Sequence, residues 1–256
     1  MRLRDKIFNR YYSIHGKFLE EDIVLKQRWF NNLCEANYAS HLSIPGTGAR
    51  ILEAGCGRGY ILKWMQGRGL SNIEGMDLSP EDVEFAKKYV GIDSIYCVDG
   101  FEYLQKKECI YDCIIGKSIF EHIEKAKLEE FLGLIKNALK PKGKVILQVP
   151  NMDWIMAQHE RYMDLTHEVG FTKESLGEIL RLYFDDVTIY PVVYEFPQSF
   201  KSKLRTRLLR PMVIKSIRLL FKLLREGASD TWFEYRGIIG IAKKERKEKV
   251  MPQIWK

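Results

Sequence analysis

Two groups of residues in this chain have types and spacings that could do chemistry. The first begins at Ile51-Leu52-Glu53-Ala54 and runs into Gly55-Cys56-Gly57-Arg58-Gly59-Tyr60. Glycines at this spacing let the backbone take positive φ and come close to a ligand. A strand that feeds such a turn and then a helix offers backbone N–H groups to that ligand. The spacing is G-x-G-x-G and misses the G-x-G-x-x-G dinucleotide fingerprint, so the loop alone is weak evidence and can also be read as a tight turn. Two acids add weight to it. Asp77 follows a second apolar run, Asn72 to Met76, and a carboxylate there can accept from both hydroxyls of a ribose, with Leu78 beside it to pack on a purine face. Asp99 follows a third run, Ser94 to Val98, where a carboxylate can accept from an exocyclic amine or cap a helix. The second group holds histidines: Glu121-His122, and the stretch Arg161-Tyr162-Met163-Asp164-Leu165-Thr166-His167-Glu168 ahead of Phe171-Thr172. Histidine is the side chain best poised to move a proton near neutral pH. His122 also reads as a helix-start residue held by Glu121, and His167 as a loop residue tied to Asp164 or Glu168. Three ligand-type residues within 164–168 could hold a metal, but loop spacing alone is weak, and no metal is expected.

These residues need a scaffold, and the pattern supplies one. Between 50 and 150, apolar runs alternate with helical stretches: strands at 51–53, 72–76, 94–98, 111–115 and 144–149, and helices at 60–67, after Ser79, and at about 126–139. Ser79-Pro80-Glu81-Asp82 is a helix start, with Ser79 as N-cap and Pro80 in the first turn. Lys140-Pro141-Lys142-Gly143 reads as a stop and turn. Thr172 caps a helix from Lys173 to Leu182. Two more strands are predicted at 186–190 and 236–242, and residues 1–40 read as helical. Strands alternating with helices predict an α/β fold with a parallel sheet covered on both faces, which binds ligands at the carboxyl ends of its strands. The first group of residues falls at that edge.

In combination these segments resemble the class I S-adenosylmethionine-dependent methyltransferases. ILEAGCGRGY is similar to their first motif, GMDLSP to the ribose segment and Val98-Asp99-Gly100-Phe101 to the adenine segment. YDCIIGKSIFEHI and LKPKGKVILQVPN resemble the motifs on strands four and five. The resemblance implies a Rossmann-like seven-stranded sheet in the order 3-2-1-4-5-7-6 with its last strand antiparallel. It implies S-adenosylmethionine as cofactor and S-adenosylhomocysteine as product. The residues it assigns to the cofactor are Glu53, Gly55, Cys56, Gly57, Asp77, Leu78, Asp99, Gly100, Phe101 and Ser118. His167 is expected to be the general base or to orient the acceptor, with His122 as the alternative and Glu121 beside it; Phe171 and Tyr162 are expected to wall the pocket.

The acceptor is less defined. Gly116-Lys117-Ser118-Ile119-Phe120 stands where nucleobase-amine methylases of this class carry an Asn/Asp-Pro-Pro-aromatic motif, and no Pro-Cys nucleophile is present. RYMDLTHEVGFTKESL, YYSIHG and the Pro150-Asn151 pair are similar to methyltransferases of glycan and cell-surface polysaccharide biosynthesis, which implies O-methylation of a saccharide or other small hydroxyl compound. The competing readings are an RNA methyltransferase and a non-catalytic S-adenosylmethionine-binding scaffold.

Composition bounds the rest. With 46% hydrophobic and 29% charged residues the chain is globular. No apolar stretch is long enough to span a membrane, and the N-terminus lacks a signal peptide's apolar core. Five cysteines, at 34, 56, 97, 109 and 113, lack metal-ligand spacing and suggest reduced thiols in the cytoplasm. The net charge of +7 comes from one segment, because nine of the 41 basic residues lie in 201–225 with no acid among them. There Val213, Ile214, Ile217, Leu220, Phe221 and Leu224 fall on one helical face and Lys215, Arg218, Lys222 and Arg225 on the other. Such a helix is a lid or interface, a peripheral membrane contact over 205–225, or a nucleic-acid arm; the scarcity of aromatics disfavours the last. The domain organisation predicted is a helical segment at 1–45, a methyltransferase domain at 46–245 with a helical insertion at 195–235, and a tail at 246–256.

Overall fold

The computed structural model describes residues 3–15, 23–42, 48–197, 199–224 and 230–245; the predicted tail lies outside them. Three helices come first, Leu3–Phe8 (α1), Tyr11–His15 (α2) and Ile23–Asn37 (α3). Strands and helices then alternate: Ile51–Ala54 (β1), Tyr60–Gly67 (α4), Ile73–Asp77 (β2), Pro80–Ala86 (α5), Ile95–Cys97 (β3), Gly100–Gln105 (α6), Tyr111–Lys117 (β4), Leu128–Ala138 (α7) and Leu139–Pro150 (β5). Helices Ala157–Tyr162 (α8) and Lys173–Arg181 (α9), strand Asp186–Pro191 (β6), helices Phe200–Leu204 (α10) and Arg210–Leu223 (α11), and strand Gly237–Lys243 (β7) complete the order.

The seven strands form one sheet in the order β3-β2-β1-β4-β5-β7-β6. β1 to β5 pair in parallel, and β7 runs antiparallel to both neighbours. This is the predicted α/β, Rossmann-like arrangement. Alternation along each strand sends side chains to two faces. Leu52, Ile114, Leu147 and Ile238 pack with Leu104, Phe131 and Leu176 from α6, α7 and α9. Ile51, Ile115, Ile146 and Ile239 pack with Leu33, Ile61 and Val83 from α3, α4 and α5. Each such fully buried aliphatic side chain contributes roughly 1.5–3 kcal/mol. The N-terminal helix α3 is therefore part of the second core, and Asn37 ties it down by accepting from Val193 N (2.8 Å) and donating to Val193 O (2.9 Å).

Register sets the ligand edge. Ala54 lies opposite Met76 and Gly116, Asp77 opposite Cys97 and Lys117 opposite Gln148. The carboxyl ends of β1 to β4 are thus level, and the loops leaving them converge. Caps fix the helices that start there. Ser79 Oγ accepts from Asp82 N (3.3 Å), Asp99 Oδ1 from Phe101 N (2.8 Å) and Thr172 Oγ1 from Ser175 N (3.3 Å).

Two elements differ from the sequence expectation. Residues 140–143 stay in strand β5 and bulge between its two registers with β4, because Lys142 N–H finds Lys244 O as its partner (2.8 Å). The amphipathic helix that carries Val213 to Leu224 does not stand alone but is the end of a helical run from Phe200, with a π-type turn at Arg205–Leu209. Pro211 lacks the N–H that would continue the ordinary ladder, and a wider turn ahead of it accommodates that loss.

Candidate active site

The turn after β1 is built from three left-handed glycines: Gly55 (φ 70°), Gly57 (φ 47°) and Gly59 (φ 76°). Gly55 N and Cys56 N both donate to Met76 O, which holds the turn against β2. Gly57 has open space where a Cβ would stand, whereas a Cβ at Gly59 would meet Val90 at 2.7 Å. The first glycine keeps room for a ligand; the second lets α4 approach α5.

Glu53 lies just before the turn and is only 2% exposed. Its Oε2 has no hydrogen-bond partner. Burial pushes its carboxyl well above the ordinary range, against the opposing pull of the Lys117 ammonium. Asp77, at the end of β2, is tied at both oxygens: Oδ2 accepts from Gly57 N (2.8 Å) and Oδ1 from Ser79 N (2.9 Å). Burial raises its pKa while these backbone donors work against the rise. Asp99 is the N-cap of α6, the structural role the sequence left open, and it also faces the cavity described next.

These residues surround a cavity of about 470 Å³ at the carboxyl edge of β1 to β4. All ten residues singled out for a cofactor line it: Glu53, Gly55, Cys56 and Gly57 from the first loop, Asp77 and Leu78 from the second, Asp99, Gly100 and Phe101 from the third, and Ser118 after β4. Ser118 itself sits at φ 53°, a conformation uncommon for a side-chain-bearing residue. His122 also reaches the cavity; Glu121 and His167 are not among its lining residues.

The histidine groups, 45 residues apart in the chain, meet in space. Glu121 O accepts from Glu168 N (2.8 Å) and Val169 N (3.1 Å), which draws the 164–169 loop onto the 3₁₀ turn Phe120–His122. The His122 and His167 rings are 4.8 Å apart. Behind His122 runs a chain of polar contacts: its Nδ1 lies 2.8 Å from Thr166 Oγ1, Thr166 Oγ1 donates to Asp164 Oδ1 (2.6 Å), and Tyr11 OH donates to Asp164 Oδ2 (2.7 Å). Burial would raise the Asp164 pKa, but the hydrogen bonds from Thr166 and Tyr11 hold it below the ordinary value. His167 Nδ1 lies 3.0 Å from Glu160 O. The expected wall residues are elsewhere: Phe171 is buried against Phe120, and Tyr162 is 74% exposed.

The match to known families agrees with this geometry. A family model described as a methyltransferase domain matches residues 27–183, more than half of the chain. The chain belongs to the methyltransferase domain family. Its fold resembles that of a solved S-adenosylmethionine-dependent methyltransferase from Archaeoglobus fulgidus, with a TM-score of 0.63 and 22% identity over 87% of this chain and 99% of that one. Among curated relatives, the methyltransferase is 35% identical over 144 residues to the tRNA U34 carboxymethyltransferase of Cellvibrio japonicus, covering 54% of this chain and 41% of that protein. It is 26% identical over 129 residues to the mitochondrial ubiquinone biosynthesis O-methyltransferase of Mus musculus, covering 47% of this chain and 34% of that protein. The chain therefore spans well under half the length of these curated relatives.

Several lining residues of the methyltransferase were not singled out from the sequence. Lys117 ends β4, lies over the Phe30 ring (5.6 Å) and contributes a cation to the cavity. Burial lowers its pKa, partly offset by Glu121 and Glu53. Arg58, inside the glycine turn, packs on Phe85 (3.9 Å) and pairs with Asp82 (3.6 Å). Phe8 and Tyr11 from the N-terminal helices close one side. Lys117 was detectable as the one basic residue in the strand-four motif before Ser118; the N-terminal contribution has no local sequence signal.

The basic segment is less open than its composition suggests. Arg218 pairs with Glu234 (2.8 Å) and Arg210 with Glu195 (3.5 Å), so the nine charges are not all unopposed. Only Arg210, Ile214, Ile217, Arg218 and Phe221 of α11 are half-buried, with Phe221 edge-on to Phe233. Val213, Leu220 and Leu224, expected on the packed face, are exposed together with Leu219 and Leu223. Among the described residues no helix is long and apolar enough to cross a membrane.

Proposed function

We propose that this methyltransferase binds S-adenosylmethionine in the 470 Å³ cavity and transfers its methyl group to a hydroxyl oxygen of a small acceptor. One observation carries the reading: the buried, partnerless Glu53 Oε2 stands beside a glycine turn with open space at Gly57. A buried acceptor without a donor is costly, and the cofactor's ammonium group would supply that donor. Lys117 is placed to meet its carboxylate. Asp77, with lone pairs left on both oxygens, takes the ribose hydroxyls, and Leu78 and Phe101 take the purine faces with Asp99 at its edge.

The reaction is an in-line displacement. The sulfonium S–CH3 bond breaks as the O–CH3 bond forms, and the hydroxyl proton must leave. Alignment of the two reactants supplies much of the acceleration, and a positioned base adds typically ~10²–10⁴-fold. The cluster of Glu121, His122 and His167 is where that activation takes place. His122 is the nearer imidazole, because it lines the cavity and is backed by Thr166 and Asp164; His167 stands behind it.

The relatives named above include an O-methyltransferase. The acceptor is therefore proposed as a hydroxyl compound, with a saccharide hydroxyl as the version that the sequence resemblance favours. A tRNA acceptor is the second reading, suggested by a relative's name and the basic arm. In this reading the chain works in the cytoplasm, and the arm of α10 and α11, exposing Phe200 and Leu223 beside Lys215 and Lys222, meets an anionic membrane surface. The function is tested by incubating the full chain with methyl-labelled S-adenosylmethionine and panels of saccharide, phenolic and tRNA acceptors. Label in a small hydroxyl compound supports the reading; label in tRNA alone replaces it, and binding without transfer to any acceptor favours the scaffold.

A further inference from the structure

We propose that Glu121, His122 and His167 form a binding site for one divalent metal ion of the zinc class, at the acceptor side of the cavity. The sequence expectation of no metal was drawn from the 164–168 loop alone. Folding replaces that set with another: a carboxylate oxygen of Glu121 and one ring nitrogen from each of His122 and His167 all lie within 4.8 Å of one another. One carboxylate and two imidazoles are a donor set that suits zinc and its first-row neighbours and leaves coordination positions open.

The second observation is the state of Glu121. The residue is 2% exposed, and neither carboxylate oxygen has a hydrogen-bond partner. A carboxyl in this condition needs either a proton or a cation. A third observation concerns the rings. His122 Nδ1 lies against Thr166 O and Oγ1, and His167 Nδ1 against Glu160 O (3.0 Å). A backbone carbonyl on one ring nitrogen fixes the ring and directs the other nitrogen to a metal, the usual arrangement around ligating histidines. Zinc bonds of ~2.0–2.2 Å place tetrahedral ligand atoms about 3.4 Å apart, so each atom needs to move by less than ~1 Å.

The binding site stands on this cluster alone; its use in methyl transfer rests on the hydroxyl-acceptor reading. With an ion bound, the imidazoles would be ligands, and the ion would lower the pKa of the acceptor hydroxyl so that its proton passes to solvent instead of to a histidine base.

The experiment uses the full, tag-free chain in a Cys97→Ser, Cys109→Ser background, because those two thiols are exposed. After chelator treatment it is titrated calorimetrically with zinc, manganese and magnesium, and in parallel with S-adenosylhomocysteine. The expected result is one zinc or manganese ion per chain, bound more tightly than magnesium. Glu121→Gln and His167→Asn should each weaken it at least tenfold, and His41→Asn should leave it unchanged. Zinc X-ray absorption on the parent chain should show two imidazoles and oxygen, which keeps the test intact if a variant misfolds. No stoichiometric binding, unchanged affinity in both variants, or a shell without imidazole overturns the site. S-adenosylhomocysteine binding without metal binding removes the metal alone; metal binding without S-adenosylhomocysteine removes the cofactor reading alone.

Discussion

Replacing Asp77 by Asn tests both jobs assigned to that residue. In the protein without cofactor its carboxylate accepts from Gly57 N at 2.8 Å and from Ser79 N at 2.9 Å, holding the glycine turn and the start of α5 on the end of β2. Asn keeps the shape but has one acceptor, so one backbone N–H faces an NH2 group. A hydrogen bond to a charged group is worth about 1.5–3 kcal/mol, which for a domain of this size lowers Tm by about 3–12 °C. The same change weakens the ribose contact. That loss of about 1–3 kcal/mol reduces S-adenosylhomocysteine affinity by about 5–150-fold. Thermal unfolding without ligand reads the first effect, and calorimetric titration below the lowered Tm reads the second. An unchanged Tm would refute the tether, and an unchanged affinity would remove Asp77 from the cofactor site. Lower stability with wild-type affinity would leave Asp77 a purely structural residue.

Other outcomes follow from the same geometry. Gly57→Ala meets no neighbouring atom but must hold φ 47°, so it should cost only about 1–2 kcal/mol of stability while cofactor binding falls much further; equal losses would argue against a ligand in that space. The buried Asp82 carboxyl has its pKa raised by burial to about 6 from 3.8. The folded state therefore binds the extra proton between about pH 4 and 6, and stability falls across that window as pH rises, by up to about 3 kcal/mol. Asp82→Asn should flatten that slope in denaturant titrations at several pH values, and an unaltered slope would show that another group is responsible. Flotation with anionic vesicles should be lost when Leu219, Leu220 and Leu223 are changed together to Ser, and retained binding would exclude the exposed face of α11 as the contact.

The scaffold of the site was legible because local rules set it. The glycine turn, Ser79 before Pro80, Asp99 and Thr172 are all short-range signals, and each stands at the predicted helix start or strand end. Apolar runs broken by these caps were enough for the sheet. Long-range contacts were not legible. The pairing of Glu121 O with Glu168 and Val169 brings His167 to His122, and nothing in either segment announces it. Tyr11 and Phe8 reach the cavity from helices whose sequences carry no periodic signal for that contact. In α11 the helical period was right, but a periodic face says only that two sides differ. Which residues are covered depends on the 232–234 loop, and it covers a narrower strip than the apolar stripe.

The claim on which the rest depends is that the carboxyl edge of β1 to β4 holds S-adenosylmethionine. A crystal structure of the full chain grown with S-adenosylhomocysteine tests it most directly. The account predicts the ligand's amino group on Glu53 Oε2, its ribose on Asp77 and its adenine between Leu78 and Phe101 beside Asp99. A complex with the ligand seated elsewhere, or crystals at saturating ligand with Glu53 Oε2 still partnerless, would contradict it.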